Sequence, residues 1–215
     1  MAAWGKASKA CHETIKACEI YLEKRRHTLD NVLTRFAVNY NIDEKLLSAI
    51  TRIETKNGGI SVYTKLPIIR FELHIFDNMI SPEERQRTFH VFAYGENKTF
   101  NHYIGPTSVH LNQDTEWESF FLARLINTEA AMLSTSYGFA QIMGFNYDLI
   151  GYRDVYTMYL HSYDGDEQYD MFFSYLKNKP GLLQALRDKN LEQIALLYNG
   201  PANITTYVNQ LKKYL

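Results

Sequence analysis

Leu46 to Phe76 reads LLSAITRIETKNGGISVYTKLPIIRFELHIF, and the fold is decided where its apolar period changes. Leu46, Leu47, Ile50 and Ile53 fall at i, i+1, i+4 and i+7, one apolar stripe of an α-helix. Past Glu54 the stripe stops at Lys56-Asn57-Gly58-Gly59. The run that follows carries Ile60, Val62, Tyr63, Ile68, Ile69 and Phe71, β-branched and aromatic types interrupted at Lys65-Leu66-Pro67. A helix ending in an acid, a glycine turn and a small β-hairpin are therefore expected, and the hairpin would carry a second acid, Glu72, close to Glu54. The fold class that follows is mainly α, of the α+β kind, with the hairpin beside a cleft.

Glu54 is the neighbour of Ile53 and lies four residues after Ile50, at the edge of the stripe. A carboxyl there is partly desolvated, which raises its pKa toward the value a general acid needs near neutral pH. A solvated glutamate at a helix C-terminus fits the same position, so the rest of the chain has to decide.

With 215 residues, 46% hydrophobic and 14% aromatic, the chain can bury a substantial core, and one domain over 1–215 is expected. A formal net charge of -1 removes the electrostatic argument for nucleic acid or an anionic membrane surface. Cys11 and Cys18 share a helical face roughly 10 Å apart, too far for a disulfide while that helix holds. The seven histidines are dispersed, with no zinc-like spacing, and the sequence calls for no metal or organic cofactor. The first thirty residues hold no apolar run long enough for a secretory signal core or a membrane span. Synthesis in the cytosol without stable membrane insertion is the expectation, with passage to any external substrate left to another component.

Amphipathic helices are expected over Ala7–Lys24 and Leu29–Tyr40, packed on the same globule, and Asp43 is placed to cap the helix that ends at Glu54. Asn78 to Asp114 is polar and turn-rich, a long insertion over one side of a cleft. Trp117–Met132 returns to helical spacing. From Ser134 to Asn146 small and polar residues interleave with large apolar ones; Gly138 and Gly144 allow close approach of a ligand or another element, and a helix capped by Ser134 or Ser136 fits equally. Helices are expected over Tyr169–Leu176, Leu182–Asp188, Leu191–Tyr198 and Thr205–Leu215.

Four segments in order carry a resemblance. Ile53-Glu54, Ser136-Tyr137-Gly138-Phe139-Ala140-Gln141-Ile142-Met143-Gly144 and Ala195-Leu196-Leu197-Tyr198-Asn199-Gly200-Pro201 resemble the goose-type lysozymes and lytic transglycosylases. Phe71-Glu72-Leu73-His74-Ile75-Phe76 makes the chain more similar to the N-acetylmuramidase family of phage endolysins. The resemblance implies a lysozyme-like helical fold and cleavage of the β-1,4 bond between N-acetylmuramic acid and N-acetylglucosamine in peptidoglycan.

It further implies Glu54 as general acid, Glu72 assisting, and Tyr198 as a phenol near the acid. Ser136, Tyr137, Gly138, Gln141, Asn199 and His74 would bind glycan, with Gln141 and Asn199 offering amides to N-acetyl groups and Tyr137 and Phe139 stacking on sugars. Tyr137 stands where the family often has tryptophan, and Leu73 replaces a more polar residue. A lytic transglycosylase giving anhydro products and a non-catalytic glycan binder on the same fold are the competing readings. A holin, a secretion apparatus or an immunity protein are the partners such an enzyme would bring with its action at the cell wall.

Overall fold

A computed structural model of the chain describes residues 32–55, 58–88, 92–94, 100–102 and 110–215. The helix expected over Ala7–Lys24 and the two cysteines lie outside these residues. Helix α1 is described over 32–40, and α2 spans Glu44–Glu54. Next come β1 (Ile69–Phe71), α3 (Leu73–Met79), α4 (Pro82–Thr88), β2 (Phe92–Tyr94), β3 (Phe100–His102), α5 (Gln113–Ile126) and α6 (Thr128–Leu133). They are followed by β4 (Thr135–Tyr137), β5 (Ile142–Met143), α7 (Val155–His161), α8 (Gly165–Asn178), α9 (Leu182–Arg187), α10 (Leu191–Asn199) and α11 (Ile204–Lys212). Among the described residues no helix is long and apolar enough to cross a membrane.

The fold is mainly helical around a small antiparallel sheet, as the sequence predicts. Asp43 caps α2 by accepting from Leu46 N at 3.1 Å, and it also meets the Lys189 ammonium. The stripe of α2 is buried at Leu46, Leu47, Ala49 and Ile50, and Thr51 satisfies its hydroxyl on that face by donating to Leu47 O at 2.9 Å.

The hairpin is not where the pattern puts it. Ile60 and Pro67 form a single antiparallel bridge, flanked by Ser61 N to Leu66 O (2.8 Å) and Ile68 N to Gly59 O (2.9 Å). β1 then pairs with β4, Ile69 opposite Tyr137 and Phe71 opposite Thr135, while β4 and β5 make the sheet's true hairpin. Pro67 lacks an N–H and cannot extend a local ladder. Pairing with a distant strand instead buries Ile69 and Phe71 completely, about 1.5–3 kcal/mol for each side chain. The free edge of β1 is closed by side chains of α5. Gln113 mimics a strand, accepting from Ile69 N at 2.9 Å and donating to Ile69 O at 2.8 Å, and Glu116 accepts from Phe71 N at 2.7 Å.

Three further differences follow the chain. Residues 134–146 form strand, turn, strand and a 3-10 turn instead of a helix start. The helix expected over Trp117–Met132 is two, because Asn127 takes extended φ (-151°), ends α5 and caps α6 by accepting from Ala130 N at 2.9 Å. The expected insertion contains the end of α3, all of α4 and the β2–β3 pair, with Phe92 opposite His102. Phe36 of α1 packs on Phe173 of α8 with centroids 4.8 Å apart, and Arg187 Nε donates to Tyr40 O at 2.8 Å, so α1 joins the common core.

Candidate active site

Glu54 is the last residue of α2, half-buried where the apolar stripe meets α11. Its Oε1 accepts from the Tyr207 hydroxyl at 2.7 Å. Burial raises the carboxyl to about 7, against the Tyr207 hydrogen bond, which favours the charged form and lowers it. Tyr207 itself is 4% exposed, and burial and the Glu54 charge push its phenol upward, so it stays a proton donor.

Tyr198, the phenol that the sequence singles out, stands one layer back. Its ring stacks on Tyr207 with centroids 6.0 Å apart and planes at 27°, and its hydroxyl points to Ala140 O at 3.5 Å. The Tyr198 phenol is also raised, by burial first and then by the Glu54 charge. Sequence reasoning passed over Tyr207 because it occupies the apolar face of α11 with Val208 and Leu211 and reads as core. The available signal was chemical: a buried phenol needs a hydrogen-bond partner.

The loop that leaves Glu54 is tied across the sheet by Gln168, a second residue the sequence reading missed. This α8 side chain is 3% exposed. It donates to Gly59 O at 3.0 Å and Ser162 O at 2.7 Å, and accepts from Phe139 N at 3.1 Å. Two glycines make room for it: a Cβ at Gly59 would meet Gln168 Oε1 at 2.0 Å, and one at Gly138 would meet it at 2.5 Å. Gly138 also holds φ +71°, a conformation that favours glycine.

In the β4–β5 turn, Gln141 is held by the protein. Its amide donates to Gly138 O at 2.7 Å and Ile68 O at 3.3 Å, and its oxygen accepts from Ser136 Oγ at 3.0 Å. The partner that an amide in an apolar run requires is thus the turn's own backbone. Tyr137 is buried and donates to Met132 O at 2.9 Å; Phe139 is buried against Tyr169 with centroids 4.6 Å apart. Neither ring presents a face for stacking on a sugar. Ser136 is buried too, whereas Asn199 is exposed at the end of α10, one residue from Tyr198.

Glu72 lies elsewhere on the sheet. Ile68 pairs with Gly59 and Gly138 at one end of β1, while Glu72 follows its other end, four residues or about 13 Å along, with its N–H donated to Ser134 O at 2.9 Å. Its carboxylate accepts from Arg70 Nε at 2.7 Å, and His74 Nδ1 stands 3.5 Å away on an exposed ring. The strand thus places Glu72 at the end of β1 opposite the one that Gly59 and Gly138 hold. A cavity of about 1120 Å³ opens between the 61–66 turn and α5, lined by Tyr63, Leu66, Trp117 and Phe121 among others, and neither glutamate lines it. Among the described residues no group of three or more His, Cys, Asp or Glu side chains is placed to hold a metal ion.

The N-acetylmuramidase family model matches residues 43–215. Four solved chains match the fold. One of them is the crystal structure of the endolysin of Burkholderia phage AP3, with a TM-score of 0.69 and 24% identity over 86% of this chain and 69% of that one. No curated protein matches. With the family model running from the cap of α2 to the last residue, and a lysozyme-like endolysin fold around it, the chain belongs to the N-acetylmuramidase family of peptidoglycan-hydrolysing glycosidases.

Proposed function

We propose that the enzyme cleaves the β-1,4 bond between N-acetylmuramic acid and N-acetylglucosamine, with Glu54 as the general acid. The observation that carries this reading is the Glu54 carboxyl itself, desolvated at a helix end and raised to about 7, where it holds a proton at neutral pH and gives it up readily. Protonation of the glycosidic oxygen lets the leaving sugar depart while the muramic ring develops oxocarbenium character. Water then adds at the anomeric carbon and leaves a reducing muramic end.

Glu72 assists in this reading, as a charge held by Arg70 beside the strand end, with His74 near it. Asn199 supplies an exposed amide for an N-acetyl group. Ser136, Gly138 and Gln141 shape the turn that faces the Tyr198 hydroxyl at Ala140. The substrate is peptidoglycan glycan strands at the bacterial cell wall; a holin, a secretion apparatus or an immunity protein would serve delivery or protection.

One observation favours a second reading. Glu54 is bonded by Tyr207, and no carboxylate contributes to its shift, while Glu72 is paired with Arg70. An acid whose shift owes nothing to a second carboxylate suits a lytic transglycosylase, in which the muramic 6-hydroxyl replaces water. Mass spectrometry of borohydride-reduced muropeptides from purified walls separates the readings. Reducible N-acetylmuramic ends are expected; anhydro ends, which borohydride leaves unreduced and which are lighter by one water and two hydrogens, would select the transglycosylase, and reducible N-acetylglucosamine ends would place the cut at the wrong bond.

A further inference from the structure

We propose that Tyr207 is the positioning residue of the catalytic acid: its hydroxyl, donated to Glu54 Oε1, orients the carboxyl so that Oε2 carries the proton handed to the leaving sugar. The inference rests on Glu54 being the acid and goes beyond it by naming what aims the proton. A neutral carboxyl has one carbonyl oxygen and one hydroxyl oxygen. The oxygen that accepts a hydrogen bond at 2.7 Å is the carbonyl one, so the acidic hydrogen sits on Oε2. Tyr207 cannot exchange the roles, because its phenol remains a donor.

When the Oε2–H bond breaks and the proton passes to the glycosidic oxygen, the electron pair stays on the carboxylate. The Tyr207 bond then becomes charge-assisted, shorter and stronger. It therefore stabilises the state reached by proton transfer more than the state before it, which is the condition for a contact to speed the step.

Geometry also fixes the donor. Tyr207 is buried in α11, which packs on α2, and the Tyr198 ring of α10 stacks on it from the far side. Other polar groups near the acid point elsewhere: Tyr198 donates to Ala140, and Arg52 of the same helix lies over the Tyr214 ring at 4.9 Å. Among the described residues the hydrogen bond that Glu54 accepts comes from Tyr207.

Tyr207→Phe keeps the ring and its stacking and removes only the donor. The kcat/KM profile of the unsubstituted enzyme falls as Glu54 loses its proton. Without the phenol the carboxylate is less favoured, so this basic limb moves up by about one pH unit. We also expect kcat to drop about tenfold or more at the optimum with KM little changed, as misaimed acids do.

A second measurement needs no variant at position 207. In the unsubstituted protein, the Tyr207 ring carbon bearing the hydroxyl, read by carbon-13 NMR, follows the Glu54 titration, and in Glu54→Gln it does not. A limb unmoved in a folded Tyr207→Phe, or a Tyr207 resonance indifferent to Glu54, overturns the proposal. The NMR readout does not depend on activity, so it stands or falls separately from the assignment of Glu54 as the acid.

Discussion

At the scale of single residues, the Glu54 carboxyl links function to stability. A glutamate whose folded pKa is about 7 and whose unfolded pKa is near 4.5 binds more protons folded than unfolded between those values. Its contribution is therefore fully present below pH about 4.5 and is lost as pH rises through about 7. Glu54→Gln removes that titration. Compared with the unsubstituted protein, the variant should gain about 2–3 kcal/mol in relative stability on going from pH 4.5 to pH 8. Urea unfolding at the two pH values checks this, and parallel pH dependence in both proteins would count against the raised carboxyl. Glu54 was legible in the sequence because its setting is local: the stripe of α2 and the glycines after it lie within a few residues. Tyr207 was not, because it reaches Glu54 from 153 residues away along the chain.

At the scale of elements, the site is an arrangement of turns held by one amide. Gln168 meets Gly59 across 109 residues, and periodicity carries no trace of such a contact. Gln168→Leu would leave Ser162 O and Phe139 N without their partner, each costing about 1–3 kcal/mol, while Gly59 O keeps the Ile68 N–H, so a loss of at least about 2 kcal/mol in urea unfolding is expected. Gly59→Ala should be strongly destabilising alone, and less so by about 1 kcal/mol or more when Gln168→Ala empties the space its Cβ needs. Additive effects would show that the glycine is there for another reason. The helices with apolar stripes were legible because burial on one face repeats every turn. The partner of β1 was not, since Ile69 and Phe71 announce a strand and say nothing of which strand will cover them. Gln141 sits in an apolar run where its amide needs partners, and the turn backbone supplies them.

At the scale of the whole molecule, the described helices other than α4 share one core. Phe36 packs on Phe173, and Tyr40 is tied to Arg187, so α1 is expected to unfold with the rest. Limited proteolysis should release no soluble folded fragment ending near residue 40, and Phe36→Ala should cost about 3 kcal/mol in global stability. A stable released fragment would make the N-terminal segment a separate unit. Over this core the two glutamates differ in setting: Glu54 is half-buried and accepts from the Tyr207 hydroxyl, and Glu72 is paired with Arg70 at the sheet end. We propose that Glu54 does the chemistry. Its most direct test is release of soluble muropeptides from purified peptidoglycan by the unsubstituted enzyme and by Glu54→Gln at equal concentration. We predict a fall of at least about 100-fold in the variant, the size of a lost general acid; full activity in a folded Glu54→Gln would contradict the assignment.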